Sequence, residues 1–132
     1  MERLINLELE NIMAVNESFK EYVVDQLVEL GFVTIKKMFG GAGIYYDGLI
    51  FGLLADDILY FKVDESNKSD YVMAGMQPFQ PFDDKPMIMP YYEVPVDILE
   101  NRELLAEWAM KALSASRNNH IKPKKHRLAK GD

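Results

Sequence analysis

Four residues, Gly40-Gly41-Ala42-Gly43, form the segment of the chain closest in composition to a phosphate-binding loop. Such a loop must lead directly into a helix, because the amides and the dipole at the helix N-terminus hold the anion. The residues that follow, Ile44-Tyr45-Tyr46, are instead typical of a strand. The glycines therefore indicate a tight turn or a bulge between two strands. The functional alternative is a backbone surface left bare for a partner to approach.

Side chains with catalytic chemistry are scarce in this chain. The absence of cysteine excludes a disulfide scaffold, a thiolate zinc site, an iron–sulfur cluster and a cysteine nucleophile. Both histidines, His120 and His126, lie near the carboxyl end, so none is available in the rest of the chain to activate a serine. The acidic pairs at 56–57, 64–65 and 83–84 are typical of turns and caps. We expect no catalytic residue, no metal site, no cofactor and no enzymatic activity.

Methionine and aromatic side chains flank a proline-rich loop in the second half of the chain. These residues are Met73, Met76, Phe79, Phe82, Met87, Met89, Tyr91 and Tyr92. Such side chains fill protein cores, and they also form adaptable binding surfaces. The sequence favours the core and leaves a docking surface open as the alternative.

Charge is distributed unevenly along the 132 residues, whose net charge is −6. Residues 117–132 hold six basic residues and one acidic residue, or +5, which leaves residues 1–116 with nine basic and twenty acidic residues, or −11. So acidic a body repels phosphate backbones. Any polyanion contacts would therefore come from the basic tail, at Lys122, Lys124, Lys125, Arg127 and Lys130, or from a local patch. The sequence favours a mobile, solubilising terminus over such contacts.

Helices and strands alternate in a way that predicts one α+β domain over residues 16–116. A capping box at Ser18 and Glu21 predicts a helix from about Ser18 to Leu30, closed by Gly31. Strands are then expected at 32–39, 44–46, 49–54 and 58–63, with Asp47-Gly48 as a hairpin turn. Residues 1–15 show both helical and strand-like spacing; we expect a loosely attached N-terminal extension, and Met13 is an alternative native start.

The second half predicts two further helices and one strand. Asp64 and Gly75 bound a short helix, and residues 87–94 form a strand that Pro90 confines to an edge or a bulge. One helical turn or a loop is expected at 95–100, and Asn101 caps a final helix with a broad apolar stripe. We expect a two-layer α+β fold, an antiparallel meander plus a later edge strand backed by helices. The polar residues from Arg117 onwards are expected to form a mobile tail.

Two runs in this region, Met38-Phe39-Gly40-Gly41-Ala42-Gly43-Ile44-Tyr45 and Leu59-Tyr60-Phe61-Lys62-Val63-Asp64, stand on either side of Asp47-Gly48. Together they resemble the signature of the TfoX amino-terminal domain, also called Sxy-like. Pro78-Phe79, Tyr91-Tyr92-Glu93-Val94-Pro95 and the Trp108 helix also fall where that family places similar residues. The family motif in this chain consists of Met38, Phe39, Gly40, Gly41, Gly43, Tyr45, Asp47, Gly48, Tyr60, Lys62, Val63, Asp64, Tyr91, Tyr92 and Pro95.

The resemblance implies a secretion-chaperone-like α+β domain with no catalytic residue, whose motif positions are structural. Named members of the family regulate natural competence as coactivators alongside the cyclic-AMP receptor protein. This chain resembles only their first half, so we expect a stand-alone member that lacks their second, helical domain.

We expect a cytoplasmic protein-interaction domain, an accessory in the regulation of transcription or natural competence. It would dock through a sheet edge or the aromatic and methionine surface on a protein partner, such as the transcription machinery, or on a second copy as a homodimer. One alternative is weak nucleic-acid binding through the basic tail. Another is a small-molecule site on the aromatic sheet, which requires a closed pocket. No segment reaches the roughly 18 apolar residues of a membrane span, and we expect no membrane association.

Overall fold

A computed structural model describes residues 16–38, 40–80 and 90–131, with side chains up to residue 118. In chain order the elements are α1 (Glu17–Gln26), β1 (Thr34–Met38), β2 (Gly41–Tyr46), β3 (Leu49–Ala55), β4 (Ile58–Lys62), α2 (Lys68–Met73), β5 (Tyr91–Glu93), α3 (Val96–Leu99) and α4 (Arg102–Gly131). The five strands form one antiparallel sheet in the order β1-β2-β3-β4-β5. This arrangement confirms the predicted α+β meander.

Two-residue turns join the central strands of the sheet. Asp47 and Gly48 both have positive φ, at 53° and 80°, which is the conformation of a type I′ hairpin turn. Asp56 and Asp57 adopt the same conformation between β3 and β4, with φ of 51° and 60°. Short polar residues tolerate this region better than other non-glycine residues. The predicted Asp47-Gly48 hairpin is therefore confirmed.

The core lies between one face of the sheet and the helices. Alternation along β2 and β4 places Ile44 and Phe61 on this face, and both are fully buried. The helices contribute Val23 and Leu27 from the first helical segment, and α4 contributes a stripe that includes Leu105. The register between β2 and β3 shifts next to Ile44, where a β-bulge gives β3 one extra residue.

Helix α1 begins two residues earlier than the capping box implied. The side chain of Asn16 accepts hydrogen bonds from the amides of Ser18 at 2.8 Å and Phe19 at 3.4 Å. The prediction of Ser18 as the cap was therefore wrong, because Asn16 already supplies the acceptor. The regular helix ends at Gln26, and a turn follows over residues 27–30. Gly31, with φ of 131°, closes it as predicted.

Helix α2 is shorter than predicted because its first turn is tied down separately. Asp64 accepts hydrogen bonds from the amide of Ser66 at 2.8 Å and from its hydroxyl at 2.5 Å. The helix itself runs from Lys68 to Met73. Gly75, with φ of 77°, ends it as predicted, since the amide of Met76 donates to the carbonyl of Tyr71 at 2.9 Å.

Helix α4 begins at the predicted cap, where the side chain of Asn101 accepts a hydrogen bond from the amide of Leu104 at 3.0 Å. It continues as helix to Gly131 and so includes the backbone of the basic tail. The expectation that this tail is mobile stays a prediction. None of the helices within the described residues has the length and apolar character needed to cross a membrane.

Candidate docking surface at the edge of the sheet

The glycine cluster builds a hairpin between β1 and β2. Gly40 lies in the connecting loop with φ of 83°, and Gly41 pairs with Met38 across it. A Cβ atom at Gly41 would lie 2.3 Å from the carbonyl oxygen of Leu54 on the neighbouring strand. The chain continues from the glycines into β2, so no helix N-terminus faces them. The cluster therefore allows close packing of strands and does not form an anion site.

Motif residues from four strands gather on the outer face of the sheet, away from the helices. The register and the alternation of side chains place Met38, Gly43, Tyr45, Tyr60, Lys62 and Tyr91 on this face. A Cβ atom at Gly43 would lie 3.0 to 3.2 Å from atoms of Ile50, Tyr45 and Met38. These three side chains therefore converge over the space that the glycine leaves.

Lysine–aromatic contacts order the outer face. The Nζ atom of Lys36 lies 5.0 Å from the centroid of the Tyr45 ring, and Lys62 has the same distance to the Tyr91 ring. Both geometries are within cation–π range. Burial lowers the pKa of Lys62, and burial together with Tyr45 raises the pKa of Tyr91 to about 12. Burial on this face therefore disfavours both the charged ammonium of Lys62 and the charged phenolate of Tyr91.

Residues 77–79 lie alongside β5 and cover the edge of the sheet that this strand forms. The amide of Phe79 donates to the carbonyl of Tyr91 at 2.7 Å, and the amide of Glu93 donates to the carbonyl of Gln77 at 3.2 Å. The Phe79 ring also packs on Tyr60, with ring centroids 4.7 Å apart. The prediction of an edge strand near Pro90 holds for residues 91–93, but this edge is occupied by the chain itself. Residues 87–89 lie outside the described residues.

Of the remaining motif residues, Val63 and Asp64 directly follow β4, where the side chain of Asn67 holds the backbone. Buried Asn67 accepts a hydrogen bond from the amide of Asp64 at 2.8 Å and donates to the carbonyl of Lys62 at 3.0 Å. Asn67 therefore holds the turn that follows β4, and nothing in the sequence distinguishes it from a surface asparagine. Val63 is buried, and Pro95 precedes α3. Phe39 lies outside the described residues.

Tyr92 faces the helices and joins an aromatic cluster under α4. Its ring centroid lies 5.8 Å from that of Tyr71, which contacts Trp108 edge-on at 4.8 Å. Burial and the neighbouring Asp70 raise the pKa of Tyr71, and its hydroxyl has no hydrogen-bond partner among the described residues. This cluster therefore packs the core around one unsatisfied polar atom.

The methionines and aromatics of the second half are mostly packed inside the described part of the chain. Tyr91 is buried, and Met76 and Tyr92 pack against the core. Met73 is the exception, with 86% of its side chain exposed. Phe82, Met87 and Met89 lie outside the described residues.

The acidic pairs serve as turn residues. Asp57, in the β3–β4 turn, accepts a hydrogen bond from the amide of Asn16 at 3.0 Å and so anchors the start of α1. Asp64 organises the turn before α2, and the pair at 83–84 lies outside the described residues. Over 16–38, 40–80 and 90–118, no three side chains of the metal-binding types come together.

The opposite end of the sheet, β1, is the better candidate for docking. Its only strand partner among the described residues is β2. Lys36 and Lys37 are both exposed there, side by side in a strand that contains no acid. Lys36 and Lys37 are not among the predicted site residues, although two adjacent lysines within a predicted strand are a readable signal of an edge.

An apolar groove lies next to β1 on the helix side. Val24, Val33 and Ile35 line it, with Lys20, Glu21 and Asp25 also at its walls. Val28, one turn beyond Val24, is 58% exposed, and Phe32, next to Val33, is 87% exposed. We call Val24, Val28, Phe32, Val33 and Ile35 together the α1–β1 surface, in which Val24, Val28 and Phe32 are exposed, Ile35 is half-buried and Val33 is buried. Two charges at its walls are already paired, Lys20 with Glu17 and Asp25 with Arg102.

The five basic residues proposed for polyanion contacts are Lys122, Lys124, Lys125, Arg127 and Lys130, and the described side chains end before them. Their contacts therefore stay a prediction. The last described side chain of α4 is Asn118, which donates a hydrogen bond to Asp64 at 3.1 Å.

Comparison with known proteins supports the resemblance drawn from the motif. The sequence model of the TfoX N-terminal domain matches residues 25–116, well over half of the chain, and this range contains every motif residue. A comparison with curated proteins finds no match. The TfoX N-terminal domain is not known as an enzyme family. The chain therefore belongs to the TfoX N-terminal domain family.

Proposed function

We propose that this chain is a non-enzymatic protein-interaction domain that binds a protein partner in the cytoplasm through its α1–β1 surface. Its role would be that of an accessory in the regulation of transcription or natural competence. Membership of the TfoX N-terminal domain family supports this role, because the family's named members act in that regulation.

One observation carries the proposal: the two ends of the sheet differ. Residues 77–79 cover β5, whereas β1 has no neighbour on its outer side among the described residues. Unpaired strand edges pair readily with another chain. Phe32 and Val28 expose apolar surface at the same end, and such exposure is typical of interaction sites.

The chemistry of the described residues gives little support to an enzyme. The pKa values of Lys62, Tyr60, Tyr71 and Tyr91 are shifted mainly by burial, which is the packing of a hydrophobic core and a sheet face. The groove beside α1 is open and is lined mainly by aliphatic side chains and charges at its walls. A small-molecule site would need a closed pocket with converging polar groups.

The test is affinity capture from native cytoplasm with the full chain and two matched variants. Phe32→Ser removes an exposed ring from the α1–β1 surface, and Met73→Ser removes an equally exposed side chain from α2. Both are expected to change the free energy of unfolding by less than about 0.5 kcal/mol, because neither side chain is buried. The proposal predicts that a protein captured by the unaltered chain is no longer captured by Phe32→Ser but is still captured by Met73→Ser. The reverse pattern would place docking on α2 and refute the α1–β1 surface.

Nucleic-acid binding through the basic tail makes a different prediction in the same experiment. Replacing Lys122, Lys124, Lys125, Arg127 and Lys130 with glutamine would abolish capture of nucleic acid and leave protein capture unchanged. If the tail makes five phosphate contacts, its affinity for duplex DNA should also fall roughly 500-fold as the salt concentration rises from about 50 to 200 mM, because binding releases condensed counterions. Docking through apolar surface should change little over that range.

A further inference from the structure

We infer that the α1–β1 surface accepts an extended acidic segment of the partner, which adds to the sheet as a sixth strand beside β1. This segment would carry apolar residues at alternate positions and two consecutive carboxylates. The inference rests on the proposed function and names the chemistry of its partner.

The backbone of β1 offers hydrogen bonds on its outer side. In an antiparallel pair, alternate residues direct both of their backbone groups toward the neighbouring strand, and those between direct them away. Met38 and Gly41 close the two-residue loop and so form a bonded pair. Counting back from this pair, Ile35 and Lys37 direct their amides and carbonyls away from β2. An added strand would satisfy these groups, as in other cases of strand addition.

The side chains of β1 specify a negatively charged partner. Residues 1–116 carry a net charge of −11, yet β1 carries two positive charges and no negative one. Neither lysine forms an ion pair with a described residue. Since neighbouring residues of a strand point to opposite faces, Lys36 and Lys37 present one ammonium group on each face. Two consecutive carboxylates on an added strand would meet both.

The groove specifies the apolar part of the segment. Val33 and Ile35 are two residues apart, and both line the groove with Val24 of α1. An added strand would place alternate side chains over this groove. A segment with apolar residues two positions apart therefore fits Val33 and Ile35, and its carboxylates then fall opposite the two lysines.

The same charges disfavour a second copy of this chain at β1. An antiparallel pair of β1 strands centred on Lys36 would set ammonium groups directly against each other, and like charges in that position are destabilising. Lysines on an edge strand thus disfavour pairing of β1 with the β1 of a second copy and still admit an acidic partner.

Peptide titration of the full ¹⁵N-labelled chain, followed by NMR, tests this inference. The probes are Glu-Glu-Val-Thr-Val and Val-Thr-Val-Glu-Glu, which cover antiparallel and parallel addition, and their counterparts with lysine in place of glutamate. The expected result is that an acidic probe shifts the amides of Ile35 and Lys37 and binds about tenfold more tightly than its basic counterpart, because exposed ion pairs are individually weak.

Charge reversal supplies the control. The double variant Lys36→Glu, Lys37→Glu should lose the acidic probe and gain the basic one, whereas Lys68→Glu, on the exposed side of α2, should behave as the unaltered chain. Equal binding of acidic and basic probes, or shifts confined to other strands, would overturn the inference. The inference would also be overturned by a concentration-dependent dimer that Lys36→Glu strengthens, or by probes that bind only to a chain starting at Met13. If Phe32→Ser loses the captured partner and no peptide binds, the proposed function stands and only the acidic segment is refuted.

Discussion

Replacing Gly41 with alanine should destabilise the domain by about 3 kcal/mol. The new Cβ atom would lie 2.3 Å from the backbone carbonyl oxygen of Leu54, and Cβ atoms essentially never approach closer than 3.0 Å. The two strands must therefore separate locally by at least 0.7 Å, the difference between these distances. Both sides of the clash are backbone, so no side-chain rotation relieves it. Overpacking a core costs roughly 1 to 3 kcal/mol, and rigid surroundings place this site at the upper end.

The matched control is Gly48→Ala in the β2–β3 turn. Gly48 has φ of 80°, and a Cβ atom there would meet nothing within 4 Å. This substitution therefore costs only the conformational penalty of a left-handed residue, about 1 kcal/mol. Urea denaturation followed by circular dichroism and Trp108 fluorescence would give both free energies of unfolding.

Close approach of β2 and β3 predicts a difference of about 2 kcal/mol between the two variants. Equal stability of Gly41→Ala and Gly48→Ala would refute the reasoning and return the glycine cluster to its functional interpretation. A bare backbone needed only for a partner would tolerate the extra methyl group in the free protein.

Three further predictions concern buried polar groups. Tyr71→Phe should raise the free energy of unfolding by about 1 kcal/mol, since it removes a buried hydroxyl that has no partner among the described residues; a loss in urea denaturation would show that the hydroxyl is satisfied. Asn67→Ala should lower it by about 2 kcal/mol, because two hydrogen bonds to backbone are lost; an unchanged midpoint would contradict this role. Stability should fall from pH 10 to 12, because folded Tyr91 keeps its proton up to about 12 whereas the unfolded tyrosine loses it near 10. Tyr91→Phe should reduce that fall in alkaline denaturation curves without abolishing it, because the raised pKa values of Tyr60 and Tyr71 act in the same direction.

The sign of this pH dependence follows from the two kinds of group on the outer face. A tyrosine with a raised pKa binds more protons folded than unfolded, so its contribution to stability is lost as the pH rises. Lys62, whose pKa is lowered by burial, acts in the opposite sense and adds stability as the pH approaches its ordinary value of 10.5. Lys62 therefore cannot account for a loss of stability above that pH.

Turns were readable from sequence because their chemistry is local. Asp47-Gly48, Gly31 and Gly75 each lie where a positive φ is required, and few residues other than glycine adopt it readily. The alternation of strands and the cap at Asn101 are equally local, as is the family motif. Length, composition and these short-range signals determined the α+β class and the order of elements.

Local signals failed where a second candidate stood nearby. Asn16 and Ser18 both have good capping side chains, and the choice depends on where the chain enters the helix. The amide of Asn16 is held by Asp57, forty-one residues away, so its position is a tertiary property. The same holds for Asn67, which the fold buries although its residue type is mostly exposed.

The candidate docking surface was decided by the tertiary structure alone. Sequence pointed to the strand near Pro90 as the edge, but residues 77–79 fold back over it, and this pairing depends on where the preceding loop returns. Phe32 has an aromatic side chain typical of a protein core and lies exposed, whereas the neighbouring Val33 is buried. Whether a side chain is buried depends on which elements pack over it, and one-dimensional spacing contains no record of that packing. The sequence therefore determined the elements and the family, and the assembled sheet determined which edge strand has a neighbour on one side only within the described residues.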